Sequence, residues 1–228
     1  IVDGIPETTP DGQGQIDNLN IGSIQKIEVL KGPSSALYGN ASGGSIHIYT
    51  QEKLDQHFLE AGLSFGSFQT QQYQLSGGFT HKNTTVFLQG NHTQSEGYRD
   101  QSALENTNIN LRLFQKLSEK AKFIVQANYT NSPTGDDPGG LNLEEVNTNR
   151  QQARDRNLTF KTGESIEQFK MGGQYEYQVR EQQSLRVYGF YNRRNFLGKL
   201  PFNFGGWVDL QRDYWGQGGQ YKKEKTGS

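Results

Sequence analysis

The 228-residue sequence has no cysteine, one methionine and six prolines, and only 32% of its residues are hydrophobic. Without cysteine there is neither a disulfide framework nor a thiolate metal site, and the compartment stays open. No run approaches the ~20 apolar residues of a membrane helix, and no signal-peptide pattern opens the chain. So low a hydrophobic share argues against one conventional soluble core. The net charge of −1 gives no electrostatic case for nucleic acid. No nucleophile–base pair, phosphate loop or paired-carboxylate site emerges, so no enzyme is expected. His47, His57, His81 and His92 lack metal-ligand spacing, and no cofactor is expected.

What the chain does have is aromatic residues, 11% of the total, and 28 glycines. Disordered chains are poor in aromatics, so disorder is excluded as well. From about Phe58 onward the sequence alternates with period two. Leu59, Ala61, Leu63 and Phe65 share one face, and Glu60, Gly62 and Ser64 the other. Further runs cover 72–79, 86–91 (where Phe87 breaks the alternation), 108–113, 122–129, 168–177, 185–191 and, more weakly, 207–215. Eight runs of roughly ten residues match the length of tilted strands crossing a bilayer. Links near Gly66, Lys82, Ser118 and Arg180 read as short, and those near 96–106, 132–164 and 196–206 as long. Short turns at one end and long loops at the other are the outer-membrane barrel layout. A soluble sandwich also alternates, but its strands are usually nearer five or six residues. The polar face, crowded with Gln and Asn, suits a wet lumen.

Residues 1–55 read differently. Two β-like runs, Ile27–Leu30 and Ser45–Tyr49, flank a loop holding Gly32, Pro33, Gly39, Gly43 and Gly44, which predicts a compact β-loop-β unit. Asp3-Gly4 reads as a turn, and Asp17 as the cap of a short helical turn. The opening Ile1-Val2-Asp3-Gly4 lacks a Met, so an internal stretch of a longer protein is expected.

The segment from Ile27 to Gly39, IEVLKGPSSALYG, followed by Gly43-Gly44 and an apolar strand, closely resembles the plug domain of the TonB-dependent outer-membrane receptors. Lys31 stands where Arg is commoner. Asp3-Gly4-Ile5-Pro6 resembles an earlier strand-and-loop of that plug. Glu96-Gly97-Tyr98-Arg99-Asp100, Asp137-Pro138-Gly139-Gly140-Leu141 and Arg150-Gln151-Gln152-Ala153 resemble the branch with ferric citrate-type receptors. The fold this implies is mainly β. Residues 1–55 would form the C-terminal part of a small mixed β/α plug, and 56–228 antiparallel strands of a large transmembrane barrel. About eight of about 22 strands would be present, and a TonB box would lie before Ile1.

The function this resemblance implies is TonB-dependent import of a scarce ligand across the bacterial outer membrane. The expected cargo is a ferric siderophore or citrate-like chelate, with iron present only inside it. Cobalamin, a quinone-type cofactor or an oligosaccharide are the alternatives, and a passive porin or adhesive barrel the rivals from other classes. The expected partners are TonB, the cargo and outer-membrane lipid. Tyr38 and Asn40, in the apical plug loop, are candidate ligand contacts, as are Gln13 and Gln15 in another loop. Arg99 and Arg150, with Arg154 and Arg156, lie in long outer segments where bidentate guanidinium groups suit an anionic chelate. Gly32, Gly39, Gly43 and Gly44 are expected to be structural, and Lys31 to join a plug–barrel ion pair. Asp136 and Asp137 alone are too few ligands for calcium. Changing Tyr38 to Ala in the complete receptor is expected to weaken ligand binding without disturbing barrel assembly. Unchanged affinity in a binding titration returns Tyr38 to packing.

Overall fold

The computed structural model describes residues 1–8, 24–32, 42–50, 54 and 56–223. Its first unit is small. Strands β1 (Ile24–Lys31) and β2 (Gly44–Thr50) pair antiparallel, with Ile27 opposite Ile48 and Val29 opposite Ile46. The two β-like runs of the sequence are these strands. Residues 1–3 add a third rung on the other side of β2, bridged in parallel at Val2 and Ile48; Asp3 N donates to Ile48 O at 2.8 Å. The chain then turns back on itself: Val2 and Ile5 exchange both backbone hydrogen bonds at 2.9 Å. Asp3 and Gly4 have φ of 46° and 83°, the two positive values of a type I′ turn, for which Asp-Gly is a preferred sequence.

The second unit is one eight-stranded antiparallel sheet in sequence order. It runs through β3 (Phe58–Phe65), β4 (Gln71–His81), β5 (Thr84–Ser95), β6 (Leu104–Lys116), β7 (Ala121–Asp136), β8 (Gly163–Arg180), β9 (Gln183–Lys199) and β10 (Trp207–Lys223). All eight alternating runs are strands. Side chains follow the pleat: Leu59, Leu75, Leu88, Ile109, Leu111, Met171 and Trp215 stand exposed on the outer face. Asn108, Arg112, Thr130, Gln168, Lys170 and Asn192 are buried on the inner face, which holds the first unit. The strands lengthen from 8 residues in β3 to 18 in β8. A bilayer needs only about 9–11, and the surplus, such as Glu167, Arg193 and Asn195, is polar and lies at the long-loop end.

Three features depart from the sequence reading. Phe87 does not break the pleat: it points inward, 7% exposed, because the first unit supplies an apolar patch at Val2 and Ile48. The 66–70 link, short as it is, lies at the same end as the long loops, as strand parity requires. Glu96 N donates to Phe68 O at 2.9 Å, and the Phe68 and Tyr98 rings meet edge-on at 5.4 Å. Third, the 137–162 segment contains helices α1 (Leu143–Thr148) and α2 (Asp155–Phe160). Asn142 caps α1: its side chain accepts from Glu145 N at 2.9 Å while the Glu145 carboxylate accepts from Asn142 N at 2.7 Å. Asn-x-x-Glu is a capping-box signature.

Gly172 of β8 sets how closely the two units approach. A Cβ there would lie 2.7 Å from Ile5 Cδ1, and Ile5 is fully buried. Gly172→Leu is expected to push the Val2–Ile5 turn off the wall and make cells leaky to a bulky glycopeptide antibiotic, with the barrel still heat-modifiable on gels. Gly90→Ala, where a Cβ meets nothing within 4 Å, is expected to be silent. Equal leakage in both would remove Gly172 from the seat.

Candidate functional site

The seat of the first unit is polar and charged. Asp3, at the tip of the Val2–Ile5 turn, accepts three hydrogen bonds: from Thr50 N at 2.9 Å, Thr50 Oγ1 at 2.6 Å and Arg112 Nε at 3.1 Å. Arg112 comes from β6, and both side chains of this ion pair are buried. A second pair joins Glu7 to Lys170 of β8. Beside them Val2, Ile48 and Phe87, with Gln89, Arg112 and Lys170, line a cavity of about 90 Å³ between unit and wall. A buried ion pair adds little net stability, because desolvation offsets the attraction, yet removing one partner is costly. Such a seam fixes position without binding irreversibly. Lys31, expected to make the plug–barrel pair, is not one of the residues that meet the wall in these two pairs. It is exposed on β1, opposite Gly44, and forms no ion pair among the described residues. Its strand runs along the solvent side of the small sheet, whereas the turn carrying Asp3 is what meets the wall.

His47 and Glu28 face each other across β1 and β2. Burial pushes the His47 imidazole below its ordinary value, with Glu28 opposing and Arg186 of the wall adding to the depression. Burial thus favours the neutral ring, and the stability this gives is lost as pH falls through the lowered value. Glu28 accepts from Tyr49 Oη at 3.0 Å and pairs with Lys26 at 2.5 Å. These two bonds, that from Lys26 first, lower its carboxyl. Of the four glycines expected to be structural, Gly44 has φ +138° and a Cβ there would lie 2.5 Å from Leu30 O; Gly32 has φ +101°, and Gly43 has open space around it. Gly39 lies outside the described residues, as do Gln13, Gln15, Tyr38 and Asn40.

Higher on the inner face, two arginines stand directly opposite one another: Arg194 of β9 pairs in register with Arg212 of β10 and, on its other side, with Gln168 of β8. Like charges so placed repel. Arg194 is only 9% exposed. Its guanidinium lies 5.6 Å from the Phe196 ring centroid, and it has no ion pair or hydrogen bond among the described residues. The buried Gln168 Oε1 beside it also lacks a partner. Sequence reasoning missed this pair, although extending the β9 alternation past Tyr191 puts Arg194 on the polar face.

The three branch-like motifs of the long segments meet in space. Arg99 donates to Gln152 O at 3.0 Å, Gly139 O at 2.7 Å and Pro138 O at 3.2 Å, so its guanidinium ties loop 96–103 to the start of the 137–162 segment and to the stretch between its two helices. Asp100 N donates to Gln151 O at 2.7 Å. Asn157, almost fully buried, bonds Asp137 O and Asp137 Oδ2. Three of the five N–H groups of Arg99 are spent on backbone, which makes it a loop brace first. Arg150, just after α1, is exposed to solvent. Among the described residues no group of three or more His, Asp or Glu can hold a metal ion.

A sheet with an apolar outer face and polar inner face, seating a small β unit through buried ion pairs, defines a plugged outer-membrane barrel. Residues 1–45 match the family described as the TonB-dependent Receptor Plug Domain. The fold matches the unliganded ferric citrate transporter FecA, with a TM-score of 0.74 and 23% identity over 96% of this chain and 34% of that one. The siderophore receptor PiuA of Acinetobacter baumannii matches with a TM-score of 0.69 and 16% identity over 99% of this chain and 35% of that one. The heme/hemopexin utilization protein C of Haemophilus influenzae (strain 86-028NP) is 34% identical over 88 residues, 38% of this chain and 12% of that protein. Residues 1–45 thus carry the plug of the TonB-dependent receptors, and the chain as a whole shares the fold of the solved receptors. It spans about a third of the length of these solved structures and far less of the curated relative.

Arg112→Ala leaves Asp3 buried with only Thr50 as partner and is expected to cost about 3–5 kcal/mol of plug seating. In planar-bilayer conductance under rising urea, the variant channel should open at lower urea than the parent. An unchanged opening point would show that the pair does not hold the plug.

Proposed function

We propose that this chain acts in TonB-dependent import of an anionic ferric chelate, of the ferric citrate or ferric siderophore kind, across the outer membrane. The observation that carries this reading is Arg194: a nearly buried cation on the lumen face, opposite Arg212 and without a counter-ion among the described residues. A guanidinium in that position is best satisfied by a carboxylate or similar oxyanion brought by cargo. Residues 1–55 act as plug and 56–228 as wall. TonB pulling on the plug would break the Asp3–Arg112 and Glu7–Lys170 pairs, and water would re-satisfy all four groups. The cargo undergoes no chemistry, the receptor carries no cofactor of its own, and iron passes only as cargo.

Haem is the second reading, favoured by the Haemophilus influenzae relative. Haem iron is held by axial ligands such as His. The described wall histidines do not face the lumen: His57 stacks on the outer residue Phe79, His92 lies beside the outer Tyr73, and His81 is exposed. That favours the oxyanion cargo.

Arg194→Gln in the complete receptor is expected to weaken binding of radiolabelled ferric citrate by about tenfold or more, the worth of a charged hydrogen bond. Barrel assembly should be unaltered, and uptake should stop in cells lacking TonB. Unchanged affinity for ferric citrate and for other ferric carboxylate chelates would overturn the anionic-cargo reading. TonB-independent uptake would point to a passive pore.

A further inference from the structure

The two ends of the wall differ in charge. The long loops mix both signs: the 137–162 segment carries Asp137, Glu144, Glu145 and Asp155 along with Arg150, Arg154, Arg156 and Lys161. The short-turn end carries acids too, but its unpaired charge is mostly positive. Each of its three links presents an exposed cation: Lys82 between β4 and β5, Lys120 between β6 and β7, and Arg180 at the β8–β9 turn; Lys223 ends β10 at the same level. None of the four side chains has an ion pair or hydrogen bond among the described residues. The nearby acids are mostly matched already. Glu119 binds Lys116 at 2.7 Å, and Glu176 is shared by Lys122 at 3.1 Å and Arg186 at 2.6 Å, which leaves Glu181.

Strands lie about 4.8 Å apart, so successive links place one cation roughly every 10 Å along the rim. A few residues further into the wall, exposed outward rings follow the same line: Phe79, Phe123, Tyr177 and Tyr221. Outward aromatics mark the membrane–water boundary, which puts the four cations at headgroup level. They are spread along a line and gathered into no pocket, as suits a membrane surface more than a folded partner.

We propose that this rim is a docking surface for anionic phospholipid headgroups in the periplasm-facing leaflet. Long cationic side chains reach the phosphates while their stems stay along the rings. Contact of this kind holds the barrel at a fixed depth and leaves the seam above it free to open.

The test uses the complete receptor reconstituted in phosphatidylcholine vesicles with added phosphatidylglycerol, and counts lipids retained by native mass spectrometry. The parent should retain phosphatidylglycerol over phosphatidylcholine by about fivefold or more, as expected for cations near an anionic surface. The K82Q/K120Q/R180Q variant should fall to near parity, whereas K82R/K120R/R180K, which keeps the charge, should retain the preference. Both should remain heat-modifiable. Parity in the parent, or an undiminished preference in the Gln variant, would overturn the proposal. Parity in the parent combined with lost capture of the periplasmic domain of TonB by the Gln variant would assign the rim to a protein partner instead.

Discussion

A strand inside a bilayer can send its amide groups only to neighbouring strands, because the hydrocarbon offers no water. The rest of this structure depends on that constraint. It forces the unbroken antiparallel ladder from β3 to β10, and the ladder fixes a pleat in which successive side chains face lipid and lumen in turn. Leu88 and Leu111 lie opposite each other on the outer face, and Gln89 and Asn110 on the inner. The lumen is thereby lined with Asn, Gln, Arg and Lys, and whatever fills it must bind a hydrogen-bonding surface.

The plug meets that surface on its own terms. Its apolar contribution is small: Ile5 against Gly172, and Val2 with Ile48 near Phe87. Its positioning comes from Asp3 and Glu7 on Arg112 and Lys170. A wholly apolar seat would be held by burial that pulling must oppose over its whole area. Ion pairs with hydrogen bonds lose their geometry over a short displacement, and water can replace the partners on both sides. The proposed gating role needs positional precision with a modest net free energy of seating, and buried pairs supply both.

The local part of this was legible in the sequence. Period-two runs located all eight wall strands, and the Gly-rich motif between Ile27 and Gly44 located β1 and β2, because strand and turn preferences act over a few residues. Asn142 and Glu145 also spelled a helix cap, though α1 was not expected. What could not be read were contacts over long separations. Asp3 meets Arg112 across 109 positions and Glu7 meets Lys170 across 163. Lys31 was expected in the pair because its strand is in the plug, but only the tertiary arrangement shows that the Asp3 turn faces the wall. Arg99 shows the same limit. Its charge suggested a ligand, and its position among the carbonyls of Pro138, Gly139 and Gln152 makes it a brace.

The central claim is that the plug leaves the wall along the polar seam while the wall stays whole. Hydrogen exchange of the complete receptor, with and without a pull applied through TonB, tests it most directly. Protection at the Ile48 and Thr50 amides and around the Val2–Ile5 turn should fall under load, while the β6 and β8 amides flanking Arg112 and Lys170 stay protected. Equal loss of protection in β6 and β8, or no change at Thr50, would contradict it.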